Sequence, residues 1–327
     1  MWYKPGMRSA FASGLASLLL AVACRTAVPS VAPAAAPRGP DLATAAQAIP
    51  SDLPFESLEG PFWVAKRGYL IFSDVVEQNG PAAKIYRFDP ATRAFAVVDY
   101  PGAPISTNGL AVDGEGRLVA CERWNGSLAR VEGGTRTVLA DRSPAGATLN
   151  APNDLAVRGD GNIYFTDSTW GARPGAHAPT AMYRLSPAGL LSVAFSTDMP
   201  NGIVLSPDGR ALYVGSDAHD RLWRLPLAED GSVGQAQPFA DGNLSPAGRL
   251  HVPDGLCVDQ EGRVYVANNS AEVSAILVLA PDGRFVGRIP VPSPPSNCTF
   301  GGADRRTLYI TTRHAIFEAQ TDTPGLP

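Results

Sequence analysis

The sequence predicts an all-β protein, a six-bladed β-propeller with a central metal-binding channel. Three observations predict it. A strand–turn–strand unit, clearest in Asn153-Asp154-Leu155-Ala156-Val157-Arg158-Gly159-Asp160-Gly161-Asn162-Ile163-Tyr164-Phe165-Thr166-Asp167, is written six times. Its first residues, at 59, 108, 153, 201, 254 and 297, stand 43 to 53 residues apart, the repeat of a propeller blade. Every first position carries a side-chain oxygen: Glu59, Asn108, Asn153, Asn201, Asp254 and Asn297.

The unit reads as a hairpin, an apolar strand and a turn leading into a strand of aromatic and β-branched residues. Arg67-Gly68, Gly114-Glu115-Gly116, Asp208-Gly209, Glu261-Gly262 and Asp304-Arg305 are the corresponding turns elsewhere. Composition agrees: of 327 residues 45% are hydrophobic, and 33 Gly with 30 Pro supply the turns of an all-β repeat fold. A net charge of −4 without a basic run argues against a nucleic-acid partner. Beyond the N-terminus no apolar stretch is long enough for a membrane-spanning helix. A monomer is expected.

Residues 1–24 read as a signal peptide. Lys4 and Arg8 give it a positive start, and residues 11–22 an apolar centre. Leu20-Ala21-Val22-Ala23-Cys24 resembles a bacterial lipobox, which places the chain in the cell envelope or periplasm, held to a membrane only by a lipid on Cys24. Cleavage near Ala23 without lipidation is the alternative. Residues 25–50, rich in Ala and Pro, read as a tether, and 51–327 as the propeller.

Blade one opens at Glu59-Gly60-Pro61, with outer strands at 84–88 and 94–98. Blade two runs from Asn108 to Ala140, with Cys121-Glu122-Arg123-Trp124-Asn125-Gly126 as a connection. Blade three opens at Asn153 and carries the longest irregular insert, 168–177, where binding specificity tends to reside. Blades four, five and six open at Asn201, Asp254 and Asn297. Either the residues before Glu59 or the segment 315–319 must close the ring, because an unpaired edge invites aggregation. Cys121, Cys257 and Cys298 lie on strands and lack metal-ligand spacing, so they read as small buried hydrophobes, with one disulfide permitted. The four histidines are scattered, which speaks against zinc; His251 is better read as a loop histidine than as a channel group. No nucleophile elbow supports a catalytic serine.

Inner strands of a propeller line its axis, so the six first positions converge. One Asn or Asp before a strand is explained by turn preference; six in register, one of them a Glu, are not. Oxygens gathered at one level of a channel are costly to bury unless a hard cation satisfies them. Calcium takes 6–8 such oxygens, so a divalent metal, Ca²⁺ foremost, is the expected cofactor.

Several runs resemble the senescence-marker-protein/gluconolactonase/luciferin-regenerating-enzyme family of calcium-dependent propeller lactonases. They are Glu59-Gly60-Pro61; Gly116-Arg117-Leu118-Val119-Ala120-Cys121-Glu122; the stretch 149–167; Pro200-Asn201-Gly202; Pro253-Asp254-Gly255; and Asn297-Cys298-Thr299-Phe300-Gly301-Gly302. The resemblance covers nearly everything after residue 57. It implies Glu59, Asn153, Asn201 and Asp254 as metal ligands, and a pocket bordered by Glu122, Asn150 and Asp167. Asn108 and Asn297 complete the ring as substrate-facing positions. Arg123-Trp124 and Ser168-Thr169-Trp170-Gly171 depart from the family pattern, putting Arg123 and Trp170 at the mouth. The expected activity is opening of a small-molecule lactone, with Asp254 activating water beside a metal-polarised carbonyl. A binding propeller with structural calcium and an arylesterase or phosphotriesterase are the alternatives.

Overall fold

Alternation of apolar and polar residues over five to seven positions, broken by Gly-containing turns, makes strands of the repeats. The computed structural model describes residues 40–75, 84–102, 106–172, 175–242, 244 and 249–326. Within them lie six four-stranded antiparallel sheets. The expected signal peptide, Cys24 and most of the Ala/Pro-rich segment lie outside the described residues. Among those described, no helix is long and apolar enough to cross a membrane.

The inner strands are Leu58–Val64, Thr107–Val112, Ala151–Val157, Pro200–Leu205, Pro253–Val258 and Pro295–Gly301, one per sheet. Each inner strand contacts the inner strands of the blades on either side. In five sheets the strands follow outward in chain order. The architecture is the predicted six-bladed propeller.

Blade six is built differently. Its third strand is Ile316–Gln320, and its outermost is Gln47–Ala48, paired antiparallel through Gln47–Glu318 and Ala48–Phe317. Both candidate closing segments are therefore used. Residues 40–50 also belong to the folded body, which corrects the expected tether boundary. Ala46 and Ile49 are buried in core clusters, and Asp41 pairs with Arg288 at 2.9 Å.

The core is divided among six hydrophobic clusters, one at each interface between neighbouring blades. Blades one and six meet through Phe72, Phe88, Tyr309 and Ile316; blades two and three meet through Val119, Leu128, Phe165 and Tyr183. Each sheet is apolar on both faces near its inner edge, because each is covered from two sides. Cys121, Cys257 and Cys298 are buried thiols in these clusters, as expected. His251 Nδ1 donates to the Asp220 carboxylate at 3.0 Å and is a loop histidine.

Candidate metal centre

Every inner strand carries a register shift at its start. In blades two to five the shift skips the ring residue: Asn108, Asn153, Asn201 and Asp254 have no partner in the adjacent strand. A bulge of this kind bends a strand and re-aims a side chain. Here it happens six times at one level, turning the sequence repeat into a ring. Hydroxyls of neighbouring blades hold the bent backbone. Ser73 Oγ donates to the Asn108 carbonyl at 2.7 Å, Thr166 Oγ1 to the Asn201 carbonyl at 2.7 Å, and Ser296 Oγ to the Leu58 carbonyl at 2.6 Å.

Small residues let the blades meet. A Cβ on Gly202 would collide with the Asp254 carbonyl, and one on Gly60, which also has φ +53°, with the Asn108 carbonyl. Each glycine directly follows a ring residue, so close approach of adjacent inner strands and convergence of the ring have one cause.

The ring is acidic and dry. Asn108, Asn153, Asn201, Asp254 and Asn297 are buried, and Glu59 keeps a partial opening. Burial, then the charge of Asp154, pushes the Glu59 carboxyl up to about 8. Asp254 is held well above the carboxylate range by burial, then by Glu59 and Asp217. Asp154, buried directly after Asn153, rises to about 6 through burial. Asn297 Nδ2 reaches Glu59 Oε2 at 3.5 Å, and Asn108 Oδ1 is buried without a hydrogen-bond partner.

These features fit a cation. Carboxyls that resist ionisation because they are buried, and secondarily because they face one another's charge, beside an orphaned amide oxygen, suit an oxygen-ligand cation site. Glu59 and Asp254 would supply the anionic donors, and Asn153 and Asn201 neutral ones. Among the described residues no three His, Cys, Asp or Glu side chains group as metal ligands; the set is two carboxylates completed by amides, all hard oxygen donors.

A second tier lies 15 or 16 residues after the ring positions, just past the second strand of each blade. Asp217 and Asn269 occupy it, and reasoning on the sequence missed both. Asn201 Nδ2 donates to Asp217 Oδ2 at 2.9 Å, and Trp170 Nε1 donates to the same oxygen at 3.0 Å. Asn269 Nδ2 donates to Asp254 Oδ2 at 2.9 Å. Burial raises Asp217 to about 7, against the lowering effect of Asn201 and Trp170. Arg123 holds the same register in blade two. Its guanidinium lies across Gly171 and its charge acts on Glu59. Trp170, which bonds to Asp217, is 54% exposed.

Glu122 and Asp167 require correction. Both are 0% exposed, with their oxygens engaged inside the fold rather than at a pocket edge. Glu122 pairs bidentately with Arg136 at 2.5–2.6 Å and accepts from Tyr100 at 2.8 Å and Ser127 at 2.5 Å. Asp167 accepts from the Asn150 backbone at 2.9 Å, the Asn150 side chain at 3.1 Å and the Ala151 backbone at 2.7 Å. Asn150 also donates to the Ala178 carbonyl. Asn150 and Asp167 therefore fasten the loop that enters the inner strand of blade three. Asp74 does the same in blade one, accepting from the backbones of Glu56 and Ser57.

Six four-stranded sheets with bulged inner strands, acids and buried amides at their starts, define a six-bladed propeller. The chain belongs to the SMP-30/Gluconolactonase/LRE-like family, whose description matches residues 58–314. It is similar to the gluconolactonase of Zymomonas mobilis, 28% identical over 87% of this chain and 83% of that one. A 6-deoxy-6-sulfogluconolactonase of Pseudomonas putida is 29% identical over 78% and 82%. Among solved structures, the Xanthomonas campestris gluconolactonase XC5397 superposes with a TM-score of 0.69 at 29% identity, covering 87% of this chain and 98% of that one.

Proposed function

We propose that the chain is a divalent-metal-dependent hydrolase that opens lactones, with calcium as the ion its donors suit best. The observation that carries this reading is the ring itself: the carboxyls of Glu59 and Asp254 and the buried amides of Asn153 and Asn201 stand at the bulged starts of inner strands of the propeller. Relatives named gluconolactonase and sulfogluconolactonase support the reaction class. A divalent cation, when bound, supplies Lewis acidity to the lactone carbonyl and positive charge where the oxyanion develops.

The chain's own residues do the rest. Asn269 occupies Asp254 Oδ2, which leaves Oδ1 to accept a proton from water as its oxygen adds to the carbonyl carbon. Collapse breaks the bond to the ring oxygen, which takes a proton and leaves a hydroxy acid. Glu59 balances charge, while Asn153 and Asn201 add oxygens without adding anionic charge. Arg123 and Trp170 meet the substrate's outer substituents.

The test is hydrolysis of a panel of sugar lactones, aliphatic lactones, aryl esters and phosphotriesters, with calcium and with a chelator. Calcium-dependent lactone opening is expected. Lactone opening that survives complete chelation would remove the metal from the reading, and inactivity on the whole panel would leave a binding propeller.

A further inference from the structure

We infer that Cys257 and Cys298 are a disulfide-forming pair that staples blade five to blade six beside the ring. This does not depend on which reaction the channel carries. Their Sγ atoms lie 2.7 Å apart, and each thiol is reduced as described. Cys257 sits three residues after Asp254 on one inner strand, and Cys298 directly follows Asn297 on the next. Those two strands belong to different sheets and share no backbone ladder. A covalent link here joins blades that otherwise meet through side chains such as Tyr265, Ile276 and Phe300 and through a few backbone hydrogen bonds, such as Gln260 N–H to the Pro324 carbonyl.

The pair is also reachable. The thiols are only 7% and 2% exposed, but both line a cavity of about 900 Å³ at the channel end away from the strand starts. Phe62, Val64 and Leu205 form other parts of its wall. A small disulfide can enter this chamber without passing the ring. The Cys257 thiolate attacks one of its sulfurs and releases one small thiol. The Cys298 thiolate then attacks the Cys257 sulfur and releases the second. Two protein thiols are oxidised, one small disulfide is reduced, and the two protons pass to the released thiols. Cys121, in the cluster between blades two and three, takes no part.

The experiment is to incubate the folded full chain with bis(2-hydroxyethyl) disulfide, then denature it in N-ethylmaleimide and digest it with trypsin. The expected product joins peptide 250–263 to peptide 289–305, disappears on reduction, and is absent from Cys257→Ser, while Cys121 is alkylated throughout. The oxidised protein should melt about 5 °C higher than the reduced one, because the bridge limits the unfolded chain. Separate alkylation of Cys257 and Cys298, or stable mixed disulfides without the joined peptide, would overturn the proposal. So would a joined peptide that forms only after denaturation.

Discussion

The Asn201 amide is pinned to the Asp217 carboxylate at 2.9 Å, on the oxygen that also holds the Trp170 indole at 3.0 Å. An amide that donates through nitrogen is fixed with its oxygen turned the other way, which gives Asn201 one orientation toward the axis. Outer groups of this kind raise metal affinity by orienting a ligand before the ion arrives. Asp217→Ala should therefore weaken calcium binding about 10–100-fold, measured by isothermal titration. Trp170→Phe, which removes only the indole N–H, should leave the affinity nearly unchanged. Unaltered affinity in Asp217→Ala would mean the channel alone orients Asn201.

Removing the ion should reverse the usual pH response of a folded protein. The Glu59 carboxyl sits at about 8 and Asp154 at about 6, both above their unfolded values. For a carboxyl raised in the folded state, the folded form binds the extra proton. Its stabilising effect is full below the unfolded pKa and is lost as pH climbs through the folded one. Metal-free protein should therefore melt lower at pH 8.5 than at pH 5, and calcium should restore the difference. Calcium affinity should rise between pH 6 and 9 as Glu59 ceases to compete with a proton. A melting temperature for the metal-free form that is flat across this range would contradict the acidic ring.

Much of this geometry is legible before folding, because a propeller repeats its chemistry in register. One Asn before a strand says little, but Glu59, Asn108, Asn153, Asn201, Asp254 and Asn297 at a blade's spacing say that six side chains meet. The closing strand Gln47–Ala48 left no such trace. Two residues show no alternation, and their pairing with Glu318 and Phe317 is a contact between chain ends. Asp217 and Asn269 did leave a trace, since they share the register of Arg123; what hid them was that this position varies in chemistry from blade to blade. Glu122 and Asp167 mislead for the opposite reason. A carboxylate at or next to the end of a second strand looks like part of a pocket, while Asp167 ties down a loop and Glu122 is spent on Arg136.

Glu122 provides the check on that distinction. Breaking its pairing with Arg136 leaves an unbalanced charge at the edge of blade two, with Tyr100 and Ser127 also deprived of an anionic acceptor. Because Arg136 is partly open to water, Glu122→Gln should cost about 3 kcal/mol, near the low end for a buried pair. The kcat/KM per folded molecule should hold within about twofold of the parent, since about 0.4 kcal/mol is what a remote change is expected to perturb. A stable variant with a raised KM would return Glu122 to the substrate pocket.

Asp254 and Asn269 separate the metal-holding role from the proton-accepting role. Asp254→Asn keeps the shape and one oxygen donor but cannot take a proton, so calcium should still bind while kcat falls about 10²–10⁴-fold. Asn269→Ala is the subtler change. The amide donates to Asp254 Oδ2 and thereby favours its charged form. Without that donor the Asp254 carboxyl is harder to ionise, and the acidic limb of the kcat profile should move to higher pH while the plateau falls less than in Asp254→Asn. A purely structural asparagine would lower the melting temperature and leave the limb where it was. If Asp254→Asn hydrolysed lactones at the parental rate with calcium bound, the base would have to be sought elsewhere in the ring, and Asp154, the other buried carboxyl in reach of Glu59, would be the group to substitute next.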